Sequence, residues 1–428
     1  MKIRRPKPPL FFLCLLLCLL TACGTTETDH TPTKVEKTTP APTVPAATPT
    51  EPSDCPPDGT ARPAMIIPLT LGNHQTIVYI SDTGPFDAPD THGIASLKRY
   101  DVGTGTTTNI ASFPKVHLDD ALVSADGQWI LFDAIADTGL HKLQLIRLDG
   151  QSLQTLYCQS QANLQALQWS SDQKYVVFLR SSTTSNQEDI ELLNLQSGTI
   201  QIEFSLSGAS YYYQPVTWLD HIGVYVGKKK ADGPDDSFAL LDIRKGPNQT
   251  EPNLLHFQVA STTCTDFDSS YDSTQLFVSS CYDNGPFAPM HKVQGPSSII
   301  VESPTGGQSG TIYGTSTLAI TAVRSISHTT LLFTVNNLTG DTTHNGLWKI
   351  NRDGTSLVRL TTDSIQEPHI FNIYSQNPWS NVSRDGSKYV LTPNGLGISI
   401  LLIGSLHGGT PTELTDSPEV SMVGWTTM

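Results

Sequence analysis

The chain has 428 residues and a formal net charge of −14 at pH 7, from 26 basic and 40 acidic side chains. An acidic surface repels the phosphates of nucleic acids and of anionic lipids, so this composition disfavours non-specific nucleic-acid binding. The first 22 residues hold four basic side chains and no acidic one, so a chain without them carries a net charge of −18.

The first 22 residues have the two regions of a secretory signal peptide, a basic start followed by an apolar stretch over residues 10–20. The basic residues are Lys2, Arg4, Arg5 and Lys7. The apolar stretch is too short to span a bilayer. Residues 20–23, with the sequence LTAC, resemble the bacterial lipobox. The resemblance implies cleavage after residue 22, a lipid on Cys23 and an extracytoplasmic protein anchored to the membrane. An ordinary signal peptide that happens to carry a cysteine is the alternative.

Residues 23–63 are rich in threonine, proline, alanine and glutamate and poor in large apolar side chains. Such a segment buries too little apolar surface to offset the entropy of ordering. The sequence therefore predicts that residues 23–63 are a lipidated, disordered linker and that a folded domain occupies residues 64–428.

Four cysteines remain after the signal peptide and the lipidated Cys23 are set aside. An even number of cysteines in an oxidising compartment allows two disulfides. Cys264 and Cys281 flank a turn-like segment over residues 268–273, and a hairpin there would place them opposite each other. By elimination, Cys55 would then pair with Cys158. Because C-x-x-C and H-x₃-H spacings do not occur, we expect no metal site.

A unit of apolar strand, Asp-containing turn and second apolar strand recurs along the chain. Residues 124–132, 170–178 and 383–391 align without gaps, and weaker copies centre on Asn73, Asp220, Asp272 and Ser327. Successive turns lie 46 to 58 residues apart, slightly more than the roughly 40–45 residues of a β-propeller blade. A second strand pattern also recurs seven times. The repeats predict an all-β propeller of seven four-stranded blades, or six if one weak unit is an insertion.

The two ends of the chain predict how such a ring would close. Residues 422–425 resemble the first strand that precedes the Asp turn in other units, whereas the N-terminal copy at residues 76–79 lacks that strand. We therefore expect the C-terminal strand to complete the first blade.

The unit resembles the repeat of TolB-type, WD-like propellers, W-S-P-D-G-x-x-I-A-F followed by I-Y-x-x-x-x-D-G-x-x-x-x-x-L-T. Residues 346–361 are the closest copy of its second half, and Ser171 and Arg384 stand where that repeat has proline. The resemblance covers most of residues 64–428. It implies a binding or scaffold domain, since that family consists mainly of such domains.

Several aromatic residues fall in connections that would emerge on one rim of the propeller, around its central channel. They are Phe86, Tyr211, Tyr212, Tyr213, Phe287, Phe371 and Tyr374. An aromatic rim suits sugar rings or an apolar patch on a partner protein. The alternative is that these side chains only cover the ends of the blades.

The sequence contains no G-x-S-x-G, H-E-x-x-H or phosphate-binding glycine loop. Asp87 with Asp90, or Asp235 with Asp236, could form the pair of acids that glycoside cleavage requires. We expect a non-enzymatic, monomeric, cofactor-free lipoprotein that binds a protein, peptide or glycan and no nucleic acid. The alternative is a propeller glycosidase or lyase with carboxylates in its channel. Two or three converging carboxylates would favour the enzyme, and an aromatic rim without them would favour binding.

Overall fold

A computed structural model describes the folded part of the chain in fifteen segments. These are residues 55–57, 59–83, 93–207, 211–219, 222–230, 233–249, 253–255, 266–270, 273–283, 293–337, 342–361, 370–372, 380–394, 400–414 and 419–428. The predicted signal peptide, Cys23 and most of the predicted linker lie outside them. No helix in these segments is long and apolar enough to cross a membrane.

The described segments are almost entirely β-strand, and their only helices are two single 3₁₀ turns, Ile243–Lys245 and Thr342–His344. The repeated Ser-x-Asp sequence explains where the first two strands of a unit turn back. In the first clear copy, the Ser124 hydroxyl donates to Asp126 at 2.6 Å and accepts from the backbone N–H of Trp129 at 3.0 Å. A serine hydroxyl that accepts backbone N–H groups in this way fixes a tight turn.

Eight strands form one sheet that consists of two antiparallel groups of four. Group 1 contains β1 (Gln75–Asp82), β2 (Ile94–Asp101), β3 (Thr106–Pro114) and, from the C-terminus, β28 (Glu419–Thr427). Group 2 contains β4 (Val116–Val123), β5 (Trp129–Ala136), β6 (His141–Arg147) and β7 (Gln154–Gln159). β28 pairs with β1, and a single parallel residue pair, Ile94 with Val116, joins the two groups.

The other described strands form five antiparallel four-stranded sheets, in each of which neighbouring strands are consecutive in the chain. Group 3 contains β8 (Ala162–Trp169), β9 (Tyr175–Ser182), β10 (Gln187–Asn194) and β11 (Thr199–Ser207). Group 4 contains β12 (Tyr211–Leu219), β13 (Gly223–Lys230), β14 (Gly233–Asp242) and β15 (Asn253–Leu255). Group 5 contains β16 (Asp266–Ser269), β17 (Leu276–Asp283), β18 (Val293–Glu302) and β19 (Gln308–Thr315). Group 6 contains β20 (Ile320–Ser325), β21 (Thr330–Val335), β22 (Gly346–Asn351) and β23 (Val358–Arg359). Group 7 contains β24 (Ile370–Asn372), β25 (Lys388–Asn394), β26 (Leu401–Ser405) and β27 (Thr412–Leu414).

The hydrophobic core lies between successive groups. Each buried cluster combines side chains from the faces of two consecutive groups, and one cluster packs Val390 and Leu401 of group 7 against Ile77, Tyr79 and Trp425 of group 1. The first strands of groups 1 to 6 contact one another in order, from β28 to β4 and on to β20. The first strands therefore lie innermost in this arrangement.

Residues 59–74, which we call the N-terminal strap, run across the edges of groups 3, 2 and 1. The Arg62 N–H donates to the Leu156 carbonyl at 2.8 Å, and the Ala64 N–H donates to the Leu195 carbonyl at 2.7 Å. Pro63 lies so close to Gly198 that a Cβ there would come within 2.4 Å of the proline nitrogen. The predicted linker boundary at residue 63 therefore lies too late, because backbone hydrogen bonds hold this end of the segment against the sheets.

The strap is preceded by a disulfide between Cys55 and Cys158, whose Cα atoms are 5.7 Å apart. This is the pair that the sequence predicts by elimination, and it connects the start of the folded unit to β7. Of the other predicted pair, Cys264 lies outside the described residues, and Cys281 lies on β17 with its side chain undescribed.

Candidate functional site

The predicted aromatic rim is not assembled by the side chains that the structure describes. Phe86, Phe287 and Tyr374 lie outside the described residues, as do the candidate acids Asp87 and Asp90. Five further predicted site residues lie within strands, but their side chains are not described. They are Tyr211, Tyr212, Phe371, Asp235 and Asp236.

Tyr213 corrects the prediction, because its ring belongs to the core. It is 7% exposed and meets Phe204 edge-on, with ring centroids 5.0 Å apart. Tyr213 lies inside β12, and it packs in the cluster that includes Trp218 and Val224. The sequence assigned it to a blade-to-blade connection, but here the strand already begins at Tyr211.

A different set of polar side chains converges on group 2 and the adjoining end of group 1. We call it the acid–histidine cluster, and its members are Asp82, His117, Asp119, Asp120, Asp133 and His141. Asp119 on β4 lies directly opposite Asp133 on β5 in the antiparallel register. Directly opposed residues have Cβ atoms about 5 Å apart, so the two carboxylates are close neighbours.

The buried part of the cluster is the pair Asp133 and His141. The His141 Nδ1 lies 2.6 Å from the Asp133 Oδ2. Asp133 is 0% exposed, and His141 is 6% exposed. Burial raises the pKa of Asp133 to about 6, although the hydrogen bond from His141 opposes the shift. Burial alone would lower the pKa of His141, but the hydrogen bond and charge of Asp133 outweigh it and raise that pKa. Oδ1 of Asp133 accepts no hydrogen bond from any described residue.

Asp119 and Asp120 lie where the pairing of β4 with β5 shifts in register between Asp119 and Leu122. Asp120 has φ +41°, in the left-handed region that few non-glycine residues adopt. A bulge of this kind changes the direction of a side chain and often lies near functional sites. Here it turns the Asp120 carboxylate toward β8, where Oδ2 accepts from the Leu167 N–H at 3.4 Å.

The contact of Asp120 with the next group recurs elsewhere in the fold. Asp266, on the first strand of group 5, accepts from the Val323 N–H of group 6 at 3.1 Å. Each aspartate stands four residues before the serine of its Asp turn, Ser124 or Ser270. This hydrogen bond between groups was not predicted from the sequence, although both aspartates stand at the same distance from the serine of the turn. Asp120 therefore stabilises the fold, and its burial raises its pKa to about 6.

The exposed side of the cluster is formed by His117 and the half-buried Asp119, and Asp82 lies buried behind His117. The His117 Nδ1 lies 3.4 Å from the Asp82 Oδ2, and the His117 side chain is 37% exposed. Asp119 is half-buried. A ligand that approaches from this side would meet the His117 ring and the Asp119 carboxylate, and the carboxylate suits a positively charged group. Within the described segments no set of three or more His, Cys, Asp or Glu side chains has the geometry to hold a metal ion.

A second buried charged network lies in group 3 and is centred on Asp189. Asp189 is 0% exposed and accepts hydrogen bonds from Arg180, Gln187 and Ser205. Glu191 lies beside it, and burial raises the pKa of Glu191 to about 7. Both oxygens of Asp189 are hydrogen-bonded within its own sheet, so Asp189 is structural, whereas Oε2 of Glu191 accepts no hydrogen bond from any described residue.

No family model and no curated protein matches this chain. The solved structures that it resembles include the uncharacterized protein lmo1340 from Listeria monocytogenes EGD-e, at 13% identity and a TM-score of 0.51 over 79% of this chain and 95% of that one. They also include the beta-propeller domain of the Trilobed protease from Pyrococcus furiosus, at 10% identity and a TM-score of 0.50 over 84% of this chain and 97% of that one. TolB from Acinetobacter baumannii matches at 14% identity and a TM-score of 0.40 over 66% of this chain and 62% of that one. Because this TM-score is low, the match adds no support for the fold. The first two likenesses concern the fold alone, and they agree with the strand groups in showing that this chain is an all-β protein with the β-propeller fold.

Proposed function

We propose that this chain is a membrane-anchored, extracytoplasmic lipoprotein whose propeller is a binding or scaffold module for a protein, peptide or glycan. The ligand presents a positively charged group to the acid–histidine cluster. The observation that carries this proposal is the half-buried carboxylate of Asp119, which stands two residues from the 37% exposed His117 on β4 and therefore on the same face of that strand.

The proposed ring has seven blades, one for each strand group, and β28 closes it. Two contacts support closure. β28 pairs with β1 along its length, from Gln75 opposite Thr427 to Asp82 opposite Glu419. The core cluster that joins group 7 to group 1 then completes the circuit of blade-to-blade contacts. In such a ring the first strands line the central channel, so His117 and Asp119 on β4 would face the channel mouth.

The proposed location rests on the lipobox-like sequence before Cys23. The Cys55–Cys158 disulfide supports it, because disulfides persist in oxidising, extracytoplasmic compartments. A chain with a net charge of −18 would attract cationic ligands over the distance of the Debye length.

Glycoside cleavage is the second candidate, and the convergence of carboxylates favours it. Asp133, with a pKa of about 6, and the neighbouring Asp119 resemble the acid and base of a hydrolase. A general acid must reach the bond that it protonates, yet Asp133 is 0% exposed and Asp120 accepts a backbone N–H. We therefore place binding first.

An array of basic, neutral and acidic peptides together with glycans tests the proposal, with the full-length protein as the probe. We expect capture of basic ligands that weakens as salt is added. The Asp119→Asn variant should capture these ligands several-fold more weakly, whereas Asp353→Asn, at an exposed turn of group 6, should capture them like the wild type. Release of sugar from a glycan by the wild type, lost in Asp119→Asn, would instead establish the hydrolase.

A further inference from the structure

Three consecutive apolar side chains of the N-terminal strap are exposed. Met65, Ile66 and Ile67 are 68%, 50% and 46% exposed, and the prolines on either side of this stretch, Pro63 and Pro68, are exposed as well. Single exposed apolar residues are ordinary on a protein surface, but a contiguous apolar patch marks an interaction site.

The backbone of the strap is fastened on both sides of this patch. The Met65 N–H donates to the Gln154 side chain at 2.8 Å, and the same side chain donates back to the Met65 carbonyl at 3.0 Å. The Leu69 N–H donates to the Gln128 side chain at 2.6 Å, and Leu69 packs against the core of groups 1 and 2. Because the backbone is fixed at these points, Ile66 and Ile67 are held in solvent rather than folded back onto the sheets.

The charge of this segment differs from that of the rest of the chain. No aspartate or glutamate occurs from Gly59 to Ser81, although the chain contains 40 of them. Arg62 and His74 are the basic residues of the segment. His74 contacts Asp101 of β2 at 2.8 Å, which leaves Arg62 as the basic residue next to the patch in sequence. Apolar side chains beside a basic residue are typical of segments that lie in the interface of a membrane.

The position of the patch in the chain indicates which surface it meets. Cys23 and Cys55 are separated by 31 residues. The disulfide from Cys55 to β7 fixes the point where the tether would end, and the patch follows ten residues later. Tethering raises the effective concentration of the membrane near this face, so a weak apolar contact suffices to orient the domain.

We propose that Met65, Ile66 and Ile67 insert into the surface of the lipid bilayer that holds the lipid on Cys23. This inference rests on the anchor in the proposed function. Insertion turns the strap toward the membrane and fixes the orientation of the propeller, which a tether alone would leave free.

Hydroxyl-radical footprinting tests the insertion with native side chains as reporters. The full-length lipidated protein is reconstituted in vesicles of phosphatidylcholine and phosphatidylglycerol and compared with the full-length Cys23→Ser variant in buffer. We expect oxidation of Met65 to fall several-fold in the vesicles, while Leu357 and Val358, which are 39% and 42% exposed on group 6, react equally in both samples. An Ile66→Asp/Ile67→Asp variant should float with vesicles yet regain oxidation of Met65. The matched Leu357→Asp/Val358→Asp variant should keep Met65 protected.

Three other outcomes would overturn the insertion. A chain that floats with the vesicles but shows unchanged oxidation of Met65 overturns the insertion and leaves the anchor standing. A chain without lipid on Cys23, as shown by the mass of its N-terminal peptide, overturns the anchor and the insertion together. Protection that disappears when protein is diluted at constant lipid places a second copy of the chain on the patch, and it also overturns the proposal.

Discussion

The side chain of Arg384 donates from Nε to the backbone carbonyl of Trp425 at 2.9 Å. Its Nη2 donates to the Ser124 carbonyl at 2.9 Å, and its Nη1 contacts the Ala125 carbonyl. One guanidinium thus ties group 7 to the C-terminal strand of group 1 and to the Asp turn of group 2. Arg384 stands where the TolB-type repeat has proline, which could donate none of these bonds.

Removal of the Arg384 guanidinium should destabilise the fold. We expect Arg384→Met to lower the free energy of unfolding by about 2–3 kcal/mol, because three carbonyls lose a charged donor. Urea denaturation of the two proteins measures the difference. Arg244→Met is the control, because Arg244 bonds only its neighbour Asp242 among the described residues and should leave the midpoint unchanged. Equal midpoints for Arg384→Met and the wild type would contradict this role.

The strap disulfide should contribute to stability through the unfolded chain. Cys55 and Cys158 are 103 residues apart in sequence, and a cross-link that closes a long loop typically stabilises by about 2–4 kcal/mol. We expect the Cys55→Ala/Cys158→Ala variant to unfold at correspondingly lower denaturant under non-reducing conditions. A variant as stable as the wild type would show that the strap is held by its hydrogen bonds alone.

Variants of the neighbouring Asp119 and Asp120 should distinguish a residue that stabilises the fold from one that binds the ligand. Asp120→Ala leaves the Leu167 N–H without its acceptor and should cost about 1–3 kcal/mol. Oδ1 of Asp119 accepts from the Asp120 N–H at 3.0 Å, so Asp119→Asn, which keeps an oxygen acceptor and removes a charge next to Asp120 and Asp133, should stay within about 0.5 kcal/mol of the wild type in its free energy of unfolding or rise. Thermal and urea unfolding of both variants measure the difference. The reverse order of stabilities would show that Asp119 is the structural residue.

Stability should depend on pH through the pair Asp133 and His141. The folded pKa of Asp133, about 6, lies above its ordinary value of 3.8, so its contribution is present at low pH and falls as pH rises from 3.8 to 6. His141 has the same sign, because a raised imidazole pKa stabilises below 6.5 and is lost above it. Asp133→Asn should therefore lose less stability than the wild type between pH 4 and about 7, as followed by urea unfolding at each pH. An unchanged slope of the free energy of unfolding against pH would contradict the raised pKa of Asp133.

The Asp268→Asn variant should change this slope in the same direction, since burial raises the pKa of Asp268 to about 7.

The repeats allowed much of the fold to be predicted, because the physics of each strand and turn is local. The serine and aspartate of the turn at residues 124–126 bond within five residues of each other, so their spacing in sequence carries the structure. The acid–histidine cluster was not predicted. Asp133 and His141 meet only when β5 and β6 pair, and the bulge that redirects Asp120 leaves no mark in composition.

Two sequence predictions failed for reasons that the structure makes plain. Tyr213 was assigned to a loop, but β12 begins before it and its ring packs on Phe204. The end of the predicted linker was read as disordered because it lacks large apolar side chains. Backbone donors at Arg62 and Ala64, together with the Cys55 disulfide, order that segment without a core of its own.

The most direct test of the proposed function is an equilibrium titration of a captured basic ligand against the wild type, Asp119→Asn and Asp353→Asn at low and at high salt. We expect the Kd of the wild type to rise steeply with salt. At low salt, Asp119→Asn should bind several-fold more weakly, while Asp353→Asn binds like the wild type. Equal affinity of Asp119→Asn and the wild type would show that the ligand does not use the acid–histidine cluster.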